Sequence, residues 1–355
     1  MYIVYTTFYL FLENNYIWYN RGMSNYEWFK KAKYGLMIHF GLYSCFGGEY
    51  KGKKCGNYAE WIQSYFRIPN KEMEIVADNF NPVKFDAEEW VKFASDCGFG
   101  YIVFVTKHHD GFAMFDSVVD KYNIVNTPFG RDILRELSDA CRKYDIKLGV
   151  YYSQDLDWHE YNGGGYTKPV VDCAGTAWCN DWDYVGEKNF DKYFNSKALP
   201  QIKEIFTNYG EISVAWFDVP FTLSENQSQQ IYDLVKGCQP NCLKNSRIGN
   251  GKYDYVSFGD NEIPDSVKEL KNINSSDNDI SGIKYSPNGL YEVCQTLNQS
   301  WGYTKYPKWK TIEKLRSNKL HVDSLGINYL VNISPNELGE FPTDAKNIIK
   351  KLFID

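Results

Sequence analysis

The sequence predicts an α/β fold, a single-domain (β/α)8 TIM-like barrel whose later half is irregular. Three observations predict it. Apolar strands alternate with amphipathic helices along the chain, the pattern of a parallel sheet with helical crossovers. Eight strands can be counted in 355 residues, which suits one barrel. Polar residues gather at the C-terminal ends of those strands, and in a barrel such ends face one mouth. An open doubly wound sheet is the alternative architecture. Neither G-x-G-x-x-G nor G-x-x-x-x-G-K-S/T occurs where a strand meets a helix, so nucleotide binding has no support. No internal repeat or linker divides the chain.

The first strand is Tyr34–Gly41. A helix is expected after Asp86, because Asp86 and Glu89 form a D-x-x-E of capping-box type. Tyr101–Thr106 is the second strand. Arg131–Tyr144 reads as a helix, since Ile133, Leu134, Leu137, Ala140, Cys141 and Tyr144 recur at helical spacing. Leu148–Tyr152 is the third strand. A long loop from Ser153 to about Gly186 follows, carrying Gly163-Gly164-Gly165 and the indoles of Trp158, Trp178 and Trp182. Loops of that length are binding elements or disordered. A helix over Lys188–Asn208 leads to the fourth strand, Ile212–Asp218, and a helix over Glu225–Gly237 to a short strand at Leu243–Arg247. Weaker strands are expected at Tyr253–Phe258 and Tyr291–Leu297. The last strand, Ile327–Ser334, lies between helices Thr311–Asp323 and Thr343–Phe353.

With 43% hydrophobic and 24% charged residues the chain has the makings of a large core. A net charge of -6 argues against a nucleic-acid surface. Aromatics are high, at 17%, with 29 Tyr and 10 Trp. They fit either a Tyr-rich core or sugar binding, in which ring faces stack on pyranose C–H groups. The nine cysteines are irregularly spaced. Neither Cys173/Cys179 nor Cys238/Cys242 has partners at zinc spacing, so free thiols in a reducing compartment are expected, with no metal and no cofactor. Residues 1–22 lack a basic n-region, and Glu13 interrupts their apolar run before it could span a bilayer. Met23 is read as the natural start, 1–22 as an extension outside the fold, and 23–355 as the catalytic domain. With no secretion signal, the expected location is the cytoplasm, away from membranes.

The strand-end polar residues are His39 on the first strand, His108-His109-Asp110 after the second, Tyr151 on the third, Asp218 on the fourth and Arg247 on the fifth. Asp218 closes the apolar run Val214-Ala215-Trp216-Phe217, so it must be solvated by the mouth or hydrogen-bonded. Trp216, two residues earlier, points to the same side. Carboxylate beside indole suits attack on an anomeric carbon with sugar stacking. A glycosidase needs a second carboxyl group, about 5–5.5 Å from the first in retaining enzymes. Asp260 and Glu262 in GDNEIP, Glu292 in YEVCQT and Glu60 in YAEW are the candidates, and spacing does not choose among them. Two rivals are a metal-dependent barrel enzyme and a non-catalytic carbohydrate-binding barrel. The first would use His39, His108, His109 and Asp110, but His108 and His109 would point to opposite sides if the strand continues, which is poor ligand geometry.

Several motifs resemble those of glycoside hydrolase family 29, the α-L-fucosidases. They are WFKKAKYGLMIHFGLYS (Trp28–Ser44), YAEW (Tyr58–Trp61), TKHHDGFAMFDS (Thr106–Ser117), RDILRELSDACRKYDIKLGVYYS (Arg131–Ser153), AWFD (Ala215–Asp218), WGY (Trp301–Tyr303) and NYLVNISP (Asn328–Pro335). They follow in the family's order and span most of the chain. The resemblance implies a retaining exo-α-L-fucosidase acting on fucosylated oligosaccharides or glycoconjugates, with transfucosylation as an accompanying activity. It implies Asp218 as nucleophile, and His39, Glu60, Trp61, His108, His109, Tyr151, Trp216 and Arg247 around the sugar. The acid/base varies in position within the family. The GDN loop, similar to that of shorter bacterial members, puts Asp260 first, with Glu292 second and Glu262 third. Many members add a C-terminal β-sandwich that does not follow the last strand here. A second copy of the chain, in a homo-oligomer, is one candidate to cover that side.

Overall fold

The computed structural model describes residues 26–165, 180–266 and 286–355. The expected extension 1–22, and Trp178, Cys173 and Cys179 of the long loop, lie outside the described residues. Eight parallel strands form one sheet: β1 (Tyr34–Ile38), β2 (Tyr101–Lys107), β3 (Lys147–Tyr152), β4 (Val214–Phe217), β5 (Leu243–Lys244), β6 (Val256–Ser257), β7 (Tyr291–Thr296) and β8 (Asn328–Ile333). Their spatial order is β5-β4-β3-β2-β1-β8-β7-β6. The two ends of that sheet meet in a parallel bridge between Asn245 and Tyr255. There the Asp254 and Tyr255 amides donate to Lys244 O at 2.9 and 3.3 Å. That cyclic order is that of a (β/α)8 barrel.

All eight expected strands are present, and the later half is the irregular one. Strands β5 and β6 are two residues each, and the segment 245–255 between them carries only a 3-10 turn, Ser246–Ile248. The long crossover helices are α1 (Ala87–Asp96), α2 (Ile133–Lys143), α3 (Leu199–Asn208), α4 (Glu225–Cys238), α5 (Ile312–Leu325) and α6 (Thr343–Phe353). Asp86 caps α1 by accepting from Glu89 N at 3.0 Å, as the D-x-x-E spacing predicts. Ser224 and Gln227 form a reciprocal capping box on α4. The helix expected over Lys188–Asn208 is broken. A turn at Phe190–Tyr193 passes through a π segment, Phe194–Ala198, into α3. Pro200, with no N–H to donate, sits at the start of α3 where the ladder is interrupted. A helix at Asn70–Asn79 went unforeseen because it buries only Asn70, Met73 and Ala77, too narrow an apolar stripe to read.

The barrel interior is filled from below. Phe29, on the N-terminal helix Glu27–Ala32, meets the rings of Tyr101 and Tyr255 at 5.5 and 5.0 Å. Met37, Val103, Val105, Val214, Leu243 and Leu330 pack above it. β1 comes close to β2 through Gly35, where any Cβ would lie 2.3 Å from the Tyr101 ring. A second, larger apolar layer fills the space between strands and helices. With the interior plugged, polar chemistry is left to the C-terminal mouth. Among the described residues no helix is long and apolar enough to cross a membrane.

Candidate active site

One guanidinium holds the centre of the mouth. Arg247, in the 3-10 turn after β5, gives Nη1 to Asp218 Oδ1 and Nη2 to Asp260 Oδ1, both at 2.9 Å. Asp218 and Asp260 therefore lie within two hydrogen bonds and one guanidinium width of each other. Nη2 also donates to Phe258 O at 2.6 Å, and the guanidinium carbon lies 4.6 Å above the Trp216 ring. Trp216 donates its indole N–H to Glu292 at 2.9 Å. The arginine is thus gripped on its face and its edge and has little freedom to leave either carboxylate.

Asp218 sits one residue past the end of β4. Tyr151 donates to its Oδ2 at 3.0 Å, and its own amide donates to Gln154 Oε1 at 3.0 Å. Burial pushes the Asp218 carboxyl above its ordinary range; Arg247 opposes that shift and Asp260 adds to it. Asp260 takes a second bond from the Trp301 indole N–H at 3.0 Å. The Asp260 side chain is 27% exposed against 14% for Asp218, so Asp260 is nearer the opening. Each aspartate is followed by a non-glycine residue in the left-handed region, Val219 at φ 49° and Asn261 at φ 60°.

The histidines converge. β2 ends at Lys107 after an irregularity in its pairing with β3, so His108 and His109 do not alternate as strand residues would. Their ring centroids are 4.1 Å apart, and His39 lies 5.8 Å from His108. His109 Nδ1 faces Ser153 Oγ at 2.7 Å, and that hydroxyl gives its proton to Leu156 O. His109 must then donate from Nδ1, which leaves Nε2 an acceptor. His39 Nδ1 donates likewise to Asn332 Oδ1 at 2.7 Å, with the amide oriented by its Nδ2 bond to Trp301 O. Burial drives His39 down to about 4 and the other two well below their ordinary value. All three enter as neutral imidazoles.

Glu60 is buried behind them. Its Oε2 accepts from Gly302 N at 2.7 Å and Oε1 has no partner among the described residues. Burial raises its carboxyl to about 8. At neutral pH it is a protonated acid whose Oε1 can donate to a ligand. Gly302 makes this contact through its lack of a side chain, for a Cβ there would lie 2.9 Å from Glu60 N. Trp61 packs edge-on against His109 and Trp158 at 5.0 and 5.2 Å. The residue before Trp158, Asp157, belongs to a buried ion network. Asp157 bonds Lys107 at 3.0 Å and Lys197 at 3.1 Å. Burial would raise Asp157, but the two lysines more than reverse it, down to about 2.

The remaining carboxyl candidates lie elsewhere. Glu292, on β7, is fully buried in the barrel, with its oxygens taken by Tyr101 at 2.6 Å and Trp216 at 2.9 Å. Glu262 is exposed and accepts from Gly259 N at 3.1 Å in its own turn. Asp110 closes a local turn onto Phe112 N at 3.1 Å. Sequence reasoning missed Gln154, Ser153, Trp301 and Asn332. Trp301 and Asn332 lay inside quoted motifs, but nothing local marks an indole as the partner of a carboxylate 41 positions away.

A closed parallel barrel with two carboxylates on one arginine, ringed by neutral imidazoles and indoles, defines a carbohydrate-active barrel enzyme of the glycosidase type. Comparison with known proteins narrows this. The family model described as Alpha-L-fucosidase matches residues 14–352, and the chain belongs to that family. Unliganded α-L-fucosidase AlfC from Lactobacillus casei is similar at 53% identity and a TM-score of 0.85, over 92% of this chain and 96% of that one. Isoenzyme 1 of the Paenibacillus thiaminolyticus α-L-fucosidase is 30% identical with a TM-score of 0.75, over 92% and 74% of the two chains. Among curated proteins, the tissue α-L-fucosidase of Rattus norvegicus is 25% identical over 88% of this chain and 64% of its own length. The plasma α-L-fucosidase of Homo sapiens is 26% identical over 87% and 62%. The chain therefore spans just under two thirds of the length of these two curated relatives.

Proposed function

We propose that the chain is a retaining exo-α-L-fucosidase, with Asp218 as nucleophile and Asp260 as acid/base. The observation that carries this is the shared Arg247 fork, which sets two carboxylates side by side at the mouth. One cation that bonds both carboxylates holds them close enough to serve opposite ends of one scissile bond. Asp260, nearer solvent, delivers a proton to the leaving oxygen while Asp218 attacks the anomeric carbon. Having given its proton to the leaving oxygen, Asp260 is the carboxylate that takes a proton from water once Asp218 is esterified. Water then releases α-L-fucose with retained configuration; a sugar hydroxyl in its place gives transfucosylation. The Nε2 atoms of His39 and His109 accept from ring hydroxyls, and Glu60 donates.

The neighbouring AlfC supports the substrate class. One substituted form is described in complex with 4-nitrophenyl α-L-fucopyranoside and also with Fucα(1,6)GlcNAc, and two other variants are described as fucosyltransferase mutants. We take α1,6-linked fucosyl-N-acetylglucosamine as the first natural substrate, met in the cytoplasm. A hydrolysis screen over the aryl fucoside and linkage-defined fucosylated oligosaccharides, with the first-formed anomer read by NMR, tests the reading. Release of the α anomer supports it; the β anomer, or no turnover of any fucoside, removes it.

A further inference from the structure

A second cleft opens at the same face of the barrel, behind the wall that carries Trp301. It has a volume of about 270 Å³ and lies between the segments that follow β7 and β8. That is just below the ~300 Å³ at which small-molecule pockets begin, room for one sugar ring rather than a chain. The wall is one residue thick. Trp301 turns its indole to Asp260, while its neighbour Ser300 lines the second cleft. Asn332 lines the cleft and also bonds His39.

The lining is built for a polar ring with apolar faces. Asn298 is only 6% exposed. Its Oδ1 is used by Ser300 N at 2.8 Å, while its Nδ2 has no partner among the described residues. The buried Ser334 hydroxyl, the Tyr303 hydroxyl and the Trp309 indole N–H also line the cleft with no hydrogen bond to a described residue. Lys305 and Asp344 stand at the cleft with no ion pair to a described residue. These polar atoms open to the cleft rather than into the core, so they are free to bond the hydroxyls of a ligand. The segment YTKYPKWK, Tyr303–Lys310, interleaves aromatic rings with lysines, a pattern that the catalytic centre does not use.

We infer that this cleft is a second pyranose subsite, which holds a sugar ring on the Trp309 face with Asn298 and Ser334 bonding its hydroxyls. Its position one residue away from Trp301, the indole partner of Asp260, makes a further sugar of the fucose-bearing glycan the natural occupant. A free monosaccharide offers the same chemistry. The inference rests on the α-L-fucosidase reading for its kinetic consequence but not for binding.

The test uses the whole protein and Trp309→Ala, with Ser334→Ala as the milder second variant. Saturation-transfer NMR with galactose, mannose, glucose and N-acetylglucosamine is run with the catalytic pocket filled by excess L-fucose. Transfer to at least one pyranose, lost in Trp309→Ala and weakened in Ser334→Ala, is the expected result. In parallel, kcat/KM is measured on 4-nitrophenyl α-L-fucoside and on a branched fucosylated oligosaccharide. Trp309→Ala should leave the aryl fucoside within about twofold and lower the oligosaccharide about tenfold. Binding with that kinetic split assigns the substrate's own sugar; binding without it assigns a free sugar. No transfer to any pyranose, with both substrates equally affected or unaffected, overturns the subsite. Failure of the wild type on the aryl fucoside while transfer persists would instead overturn the fucosidase reading and leave the subsite standing.

Discussion

The two halves of the barrel mouth are built differently. From β1 to β4 the strands are four to seven residues long, and their ends carry His39, His108, His109, Tyr151 and Asp218, all buried or nearly so. Beyond β4 the strands β5 and β6 shrink to two residues each, and from β5 to β7 the chemistry sits on turns, with Arg247 in a 3-10 turn and Asp260 and Trp301 in loops. Groups on long strands inherit the rigidity of the ladder, which suits recognition and in-line attack. Groups on turns can approach solvent, which suits a residue that must exchange a proton in each cycle. Arg247 is the tie between the halves. The difference teaches that one barrel mouth can separate a strand-end carboxylate, Asp218, from a more accessible one, Asp260, while keeping both on one cation.

The sharpest way to break that division is at the proposed nucleophile. Asp218→Gly should lower kcat on an aryl α-L-fucoside by about 10³-fold or more, as loss of a covalent nucleophile does. Added azide should restore turnover and yield the inverted β-fucosyl azide, identified by NMR. Wild-type turnover in the variant would end the assignment.

Asp260→Ala should show the opposite selectivity. On a natural glycoside, where the leaving oxygen needs its proton, the loss should be about 10²–10⁴-fold. On 4-nitrophenyl fucoside the fucosylation step should suffer far less, and that inequality is the readout. Equal losses on both substrates would return the role to Glu292 or Glu262, against the saturation of the former and the exposure of the latter.

A smaller effect tests the buried, strand-borne half through its titration. His39 is depressed to about 4 from an ordinary 6.5, so its contribution to stability is full above 6.5 and is lost as pH falls through 4. Glu60 is raised from 4.5 to about 8, so its contribution is full below 4.5 and is lost as pH rises through 8. Glu60→Gln should therefore gain on the wild type by roughly 1.4 kcal/mol per pH unit across that interval, then level off above it. Chemical denaturation at pH 5, 6.5 and 8 measures the difference. Parallel stability curves for variant and wild type would mean that Glu60 is ionised in the folded protein.

What the sequence made legible follows the same division. The apolar runs of β2 and β4 announced strands, and a lone aspartate after Val-Ala-Trp-Phe announced a strand end, because both signals are local. β5 and β6 were faint because two-residue strands exist only through their neighbours. The pairing of Asp218 with Asp260 through Arg247 is a tertiary fact, so the carboxyl candidates could be ranked only by resemblance. The geometry of His108 and His109 turned on one unreadable detail, that the strand stops at Lys107 and lets both rings face the mouth. Asn298 carried no signal, since an unpartnered amide is visible only once its surroundings are folded.

The least of the expected effects lies beside the proposed nucleophile. Val219 holds φ at 49°, a conformation that costs a β-branched residue about 1–3 kcal/mol. Its side chain nevertheless packs with Trp61, Leu156 and Trp158. Val219→Ala loses part of that packing and keeps the strain. Val219→Gly loses slightly more packing but removes the strain, since glycine adopts positive φ freely. The usual order of the two substitutions should therefore invert, with glycine the more stable by about 0.5–1 kcal/mol. Thermal and urea unfolding of the pair measure it. An alanine variant as stable as the glycine one would show that the turn after Asp218 is relaxed, and that the packing of Val219 alone fixes the carboxylate's direction.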